Sequence, residues 1–269
     1  MTAIALAGWW LDVPHVLALP LVLAVVWMAF ARMDGYLSVV LFLVPLSVNL
    51  SEFGLTSIGW YMPTEPMLFA LLLLFVARWL SGEAPDRDLL QHPVTWVIGL
   101  GFLWMGLTIL PSSHPIVSLK AWVARGWVVV SFYVLLATWF RDSDRSHARF
   151  LGLLLVPLSV VILYTMIRHA GYGFEKAAGH WVMKPFFKDH TSYGAVLAMM
   201  IPPALAMAWR SQQSSLSRVL WAMGVGWLVL GTVFSFPRAA WVSLAVAGAL
   251  WVLMALGARF KTLLATGLV

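Results

Sequence analysis

Phe150-Leu-Gly-Leu-Leu-Leu-Val-Pro-Leu-Ser-Val-Val-Ile-Leu-Tyr-Thr-Met-Ile-Arg168 carries no charge from its first residue until Arg168. A helix of that length rises about 27 Å at ~1.5 Å per residue, close to the ~30 Å hydrocarbon core of a bilayer. Working outward from this run, similar apolar stretches recur along the chain between short polar breaks. They predict about nine helices, near residues 13–31, 36–51, 65–80, 93–110, 118–140, 150–168, 190–209, 218–235 and 238–258. The fold class expected is all-α, a polytopic transmembrane helix bundle, with residues 1–269 forming one transmembrane domain. The second and third stretches are short, and Pro45 in the second removes a backbone hydrogen bond. Such a break survives in a membrane only where protein or water satisfies the freed carbonyl.

Composition agrees with that class. Apolar residues make up 62% of the chain and charged residues 10%, against about 25% charged in an ordinary soluble domain. The net charge of +6 does not point to nucleic acid, because the basic residues stand singly between apolar runs, as membrane loops do. No cysteine is present, which excludes a disulfide framework, a thiol nucleophile and a cysteine-ligated metal. Met1 to Leu11 holds no Lys or Arg, so the basic segment that opens a signal peptide is missing and the first stretch is expected to stay as a helix. The 16 tryptophans are expected mostly at interfaces and in the core.

Orientation follows from the basic residues. Arg32, Arg78, Arg87, Arg141, Arg145, Arg149, Arg210, Arg218, Arg259 and Lys261 occupy one alternating set of connections, which is expected to be cytoplasmic. The other set, including 52–65 with Glu52 and Glu65, is expected on the outer side, together with Met1. Lys120, Arg125, Arg168, Lys176, Lys184, Lys188 and Arg238 then fall on or near the side where the rule disfavours them. For loop lysines such as Lys176, solvation is a sufficient reading. Arg125 lies about 7.5 Å beyond Lys120 along a helix, at a depth where a charge faces the bundle interior, lines a wet cleft or snorkels to the interface. The longest polar connection, 169–189, is the loop most suited to carry chemistry.

Two segments carry a family resemblance. Phe234-Ser-Phe-Pro-Arg-Ala-Ala-Trp241 opens a helix, and Pro185-Phe-Phe-Lys-Asp-His-Thr-Ser-Tyr-Gly194 leads into another. A softer third set comprises Val44-Pro45-Leu46-Ser47, Pro63-Thr64-Glu65-Pro66 and Ser118-Leu119-Lys120. Taken in order, they resemble the O-antigen ligase/polymerase family of bacterial membrane glycosyltransferases, although Thr191 stands where that family usually has Asn. The resemblance implies a GT-C-like helical enzyme of the bacterial inner membrane, its active side facing the periplasm, with no cofactor and no metal. The implied donor is an undecaprenyl-pyrophosphate-linked glycan, and the implied acceptor a lipid A-core sugar, a growing glycan or a protein hydroxyl. Membrane lipids are expected partners and nucleic acid is not.

The chemistry suits arginine. Negative charge grows on a pyrophosphate leaving group as the glycosidic bond breaks, and a fixed guanidinium in a partly dry cleft stabilises it. Arg238, at a helix N-terminus whose dipole favours anions, is the first candidate ligand, followed by Arg125, Arg168 and Lys188. Asp189, His190 and Tyr193 are expected to shape the site, with the small Gly194 allowing close approach. Each has a plainer reading: Arg238 as an interfacial anchor, Asp189 as an N-cap, His190 as a structural histidine. His114, His169 and His180 are expected to be solvated loop residues. The family's later helices, and the loop histidine thought to serve its acceptor, have no match before Val269. No catalytic base is therefore assigned, and these residues alone are expected to show little or no transfer. Two other classes stay open: a transporter or flippase for a lipid-linked or anionic solute, and a non-catalytic partner in envelope assembly. Transport predicts basic residues through the full membrane depth, whereas glycosyl transfer predicts them clustered at one end.

Overall fold

The computed structural model describes residues 27–28, 31–54, 59–83, 85–142, 145–210 and 214–257. Apart from Trp27, Met28 and Ala31, the expected helix at 13–31 lies outside the described residues, as do Arg259 and Lys261. The chain divides into two compact units, one from 1–44 with 63–147, the other from 45–62 with 148–269. Nearly all regular structure is helical, and five helices are long and apolar enough to cross a membrane among the described residues.

In the first unit, α1 (Met33–Leu43) stops where Pro45 ends the N–H ladder; the last bond runs from Val44 N to Val40 O at 2.9 Å. The expected helix at 36–51 is thus cut short. Its second half instead forms β1 (Val48–Asn49) and a 3-10 turn (Leu50–Phe53), which belong to the second unit. Helix α2 (Thr64–Leu80) opens behind Pro63, with Pro66 in the first turn, where a missing N–H leaves no gap. Tyr36 Oη donates to Met67 O at 3.2 Å, and Leu37, Val40, Leu41, Leu68 and Leu71 are buried. Short α3 (Arg87–Gln91) is capped by Asp86, and α4 (Pro93–Leu107) by His92 with proline in its first turn. Helix α5 (Pro115–Val129) continues through a π turn (Val130–Leu135) into α6 (Leu136–Asp142). Trp122 of α5 stacks on Phe102 of α4 with ring centroids 4.6 Å apart, and its Nε1 donates to Phe102 O at 2.9 Å.

The second unit is built on α7 (Arg145–Ala170) from Ala148 onward, α8 (His190–Trp209), α9 (Ser215–Ser235) and α10 (Arg238–Ala255). Leu158, Val161 and Ile162 of α7, Leu197 and Ala204 of α8, and Leu228 of α9 form its core. Val182 and Met183 from the connection join them. Small residues set the helix separations. A Cβ on Gly231 would lie 3.0 Å from Leu197 Cδ1, and one on Gly194 would lie 2.1 Å from Pro237 Cγ. The second distance leaves no room for any side chain. The excursion at 45–62, whose β1 pairs with β2 (Tyr61–Met62), binds the same unit through Asn49 N to Pro185 O at 3.3 Å.

Gly194→Ala should therefore lower stability by ~1–3 kcal/mol, the usual cost of overpacking. Gly226→Ala, with nothing within 4 Å of the added carbon, should be neutral or stabilising through helix propensity. Thermal unfolding of both variants in one detergent makes the comparison.

Candidate functional site

One end of the second unit gathers four helix termini: the last turn of α7, the first of α8, the last of α9 and the first of α10. Helices α8 and α10 run in the same direction because α9 returns between them, so two helix N-termini lie at the same end. The connection 171–189 folds over this end. Its 3-10 turn (Ala178–His180) presses Gly179 onto Phe236, where a Cβ would come 2.7 Å from the ring.

Phe236 and Pro237 join α9 to α10. Phe236 sits at φ 57°, a left-handed conformation that is strained for a residue with a side chain, and Pro237 is extended at φ −76°. The turn aims the start of α10 outward. No side chain caps α10, and among the described residues nothing accepts the N–H of Arg238 or Ala239. Arg238 itself is exposed and has no carboxylate partner among the described residues. Free N–H groups, the positive end of a helix dipole and a guanidinium thus share one place.

At α8 the arrangement differs. Asp189 Oδ1 accepts from Ser192 N at 2.7 Å, so Asp189 is an N-cap, the plainer of its two readings. Lys188, just before it, is exposed and likewise has no carboxylate partner among the described residues. His190 lies half-buried with its ring 4.3 Å from that of exposed His180. Tyr193 is 1% exposed and packs on Phe187 with ring centroids 5.2 Å apart. It is a core residue beneath the site and does not reach its surface.

Arg168 is bound up with the loop. Its Nη1 lies 2.9 Å from Tyr164 Oη and 3.2 Å from Val182 O, and also meets Lys184 O. The guanidinium carbon stands 5.5 Å from the Trp181 ring centroid. These contacts staple 181–184 to α7, and Lys184 Nζ in turn meets the Glu52 carboxylate at 3.1 Å. Arg125 belongs to the first unit. It sits within the span Pro115–Arg141, is exposed, and lines a groove between α4 and α5.

His169 departs from expectation. It lies in the last turn of α7 and is fully buried, against Phe174, Phe234 and Phe236, rather than solvated in a loop. Its Nε2 is 2.9 Å from Glu175 O, and since a carbonyl only accepts, Nε2 carries the proton and Nδ1 is left without a partner. One turn earlier, Thr165 Oγ1 faces Tyr193 Oη, but neither closes a hydrogen bond. Phe234 and Phe236, which surround His169, are functional-end residues whose packing role has no signal in the sequence beyond their aromatic character. Among the described residues, no three His, Cys, Asp or Glu side chains gather as a metal site.

The Ser192 N–H, with a smaller contribution from its hydroxyl, holds the Asp189 carboxyl below its ordinary range. A depressed folded value stabilises the fold at pH above the unfolded value of ~3.9, and that contribution is lost as pH falls through the folded value. Asp189→Asn should therefore be the less stable protein at neutral pH and converge with wild type below pH ~4. Melting curves across that range test the sign. No protein-family model matches the chain, and no curated protein or solved structure matches it either.

Proposed function

We propose that the chain is an O-antigen ligase/polymerase-like glycosyltransferase in which these residues bind the donor. In this reading it spans the bacterial inner membrane about nine times in a GT-C-like arrangement, with the Arg238 end of the second unit facing the periplasm. The observation that carries it is the start of α10: an exposed arginine on an uncapped helix N-terminus, beside the start of α8 with Lys188, which has no carboxylate partner among the described residues. An anion is the natural occupant of such a place, since free N–H groups, dipole and guanidinium all favour negative charge. The membrane-spanning helices beneath it suit a donor whose other end is a lipid, the undecaprenyl-pyrophosphate-linked glycan.

The transfer is a displacement at the anomeric carbon. An acceptor hydroxyl on lipid A-core, a glycan or a protein forms the new C–O bond, and the bond to pyrophosphate breaks. The pair of electrons leaves with the lipid pyrophosphate, and the hydroxyl proton passes to a base not assigned among these residues. Arg238 is the ligand for the growing pyrophosphate charge, with Lys188 adding an exposed, screened charge. Arg168 supports the loop and Asp189 holds α8 in place. His190, its ring 4.3 Å from that of His180, lies at the same end of the second unit.

The test is complementation of a strain lacking its O-antigen ligase, using the wild-type protein and its Arg238→Ala variant at equal membrane abundance. Wild type should restore glycan transfer to lipid A-core and the variant should lose ~100-fold or more, the scale of a lost charge-stabilising group. Equal transfer by both would remove Arg238 from the reaction. A well-inserted wild type that transfers nothing, yet moves a lipid-linked anion across vesicle membranes, would favour the transport reading instead.

A further inference from the structure

The groove between α4 and α5 has a volume of about 530 Å³ and a polarity along its length. Helix α4 lines it with Ile98, Gly101, Phe102 and Met105, at i, i+3, i+4 and i+7. From the facing helix, Arg125, Val128, Val129, Phe132 and Tyr133 repeat that spacing. The helices are antiparallel here, because Trp122 meets Phe102 and Gly106 while Tyr133 Oη meets Thr95 Oγ1 at 2.6 Å. Arg125 thus occupies one end, and the wall beyond it is apolar for about 12 Å, eight residues at ~1.5 Å each. The floor is open at Gly101, where an added Cβ would meet nothing within 4 Å.

Arg125 stands ten residues into the 27-residue span Pro115–Arg141, about 15 Å from its start at ~1.5 Å per residue. Among the described residues it forms no ion pair, and no acidic residue lies on the walls of its groove. A charge at that depth costs kilocalories in hydrocarbon and is retained where it meets a counter-charge or reaches water. Here the counter-charge must come with a largely apolar body, because the rest of the lining is Ile, Val, Phe, Met and Gly with the ring of Tyr133, whose hydroxyl is engaged with Thr95. The charged end lies on the Pro115 side of the groove, and the apolar wall runs from there across the middle of the span. That is the orientation of a lipid in the leaflet on the Pro115 side.

We propose that this groove is a binding site for an anionic glycerophospholipid, its phosphate drawn down to the Arg125 guanidinium and one acyl chain laid along Ile98, Phe102, Val128 and Phe132. The site lies wholly within the first unit and does not depend on the glycan-transfer reading, which concerns residues of the second. Its ligand is a bulk membrane lipid that stays put, with no bond made or broken.

The experiment is native mass spectrometry of the whole chain released from nanodiscs of equal phosphatidylglycerol and phosphatidylcholine, comparing wild type, Arg125→Gln, Arg125→Lys and Gly101→Leu. Wild type should retain phosphatidylglycerol over phosphatidylcholine by about 10-fold, equivalent to ~1.4 kcal/mol. Arg125→Gln should bring the ratio to about one, Arg125→Lys should keep most of the preference, and Gly101→Leu, which fills the groove with the charge intact, should reduce the retained lipid of both kinds. A ratio near one in wild type, the same preference in Arg125→Gln as in wild type, or undiminished lipid retention in Gly101→Leu would overturn the proposal. So would a second membrane protein, rather than lipid, held by wild type and lost with Arg125→Gln.

Discussion

The second unit depends on one close approach: α8 at Gly194 against the ring of Pro237. With a Cβ position only 2.1 Å from Pro237 Cγ, the backbone of α8 lies directly on the turn between α9 and α10. That contact brings the α8 start and the α10 start to one end and fixes the direction in which Arg238 leaves the turn. The left-handed Phe236 beside it is held by packing on two sides, Gly179 from the connection and His169 from α7. A strained residue persists only when its surroundings overdetermine it, and here they do. Loop, turn and helix termini are therefore one construction, in which the glycines are the points of least tolerance.

Electrostatically, this end divides its cations between two tasks. Arg168 and Lys184 are engaged with backbone carbonyls and with Glu52, and they keep the connection folded. Arg238 and Lys188 are exposed and have no carboxylate partner among the described residues. The distinction matters because a guanidinium satisfied by carbonyls has spent part of its donor capacity, whereas an unpaired one beside free N–H groups is available to an outside anion. Beneath them Thr165, His169 and Tyr193 are buried. The core under this end is thus more polar than the leucine-rich middle of the unit.

Helix existence was legible in the sequence because hydrocarbon requires long apolar runs. The start of α8 at His190 and the start of α10 at Arg238 were legible to the residue, since Asp189 caps one and Pro237 precedes the other. The break after Leu43 was not: Pro45 signalled a missing hydrogen bond, but only the pairing of Val48 and Asn49 with Met62 and Tyr61 shows that the chain leaves the helix there. Burial of His169 was equally out of reach. It follows from α7 running on to Ala170 and from Phe174, Phe234 and Phe236 closing around the ring, and those contacts link residues up to 67 positions apart. For Arg168, the charge and its position were legible, but the carbonyls of Val182 and Lys184 that occupy it were not. Periodicity locates elements; which donors are already satisfied is decided by tertiary packing.

We propose that Arg238 and the uncapped start of α10 together form an anion site. Its most direct measurement is binding of a short-chain isoprenyl pyrophosphate to the full chain in zwitterionic nanodiscs, at low and high salt, for wild type and Arg238→Gln. Saturable binding that weakens with salt and falls about 10-fold or more in Arg238→Gln, a loss of ~1.4 kcal/mol or more, is expected. Equal binding by the two proteins, or none by a folded wild type, would contradict it.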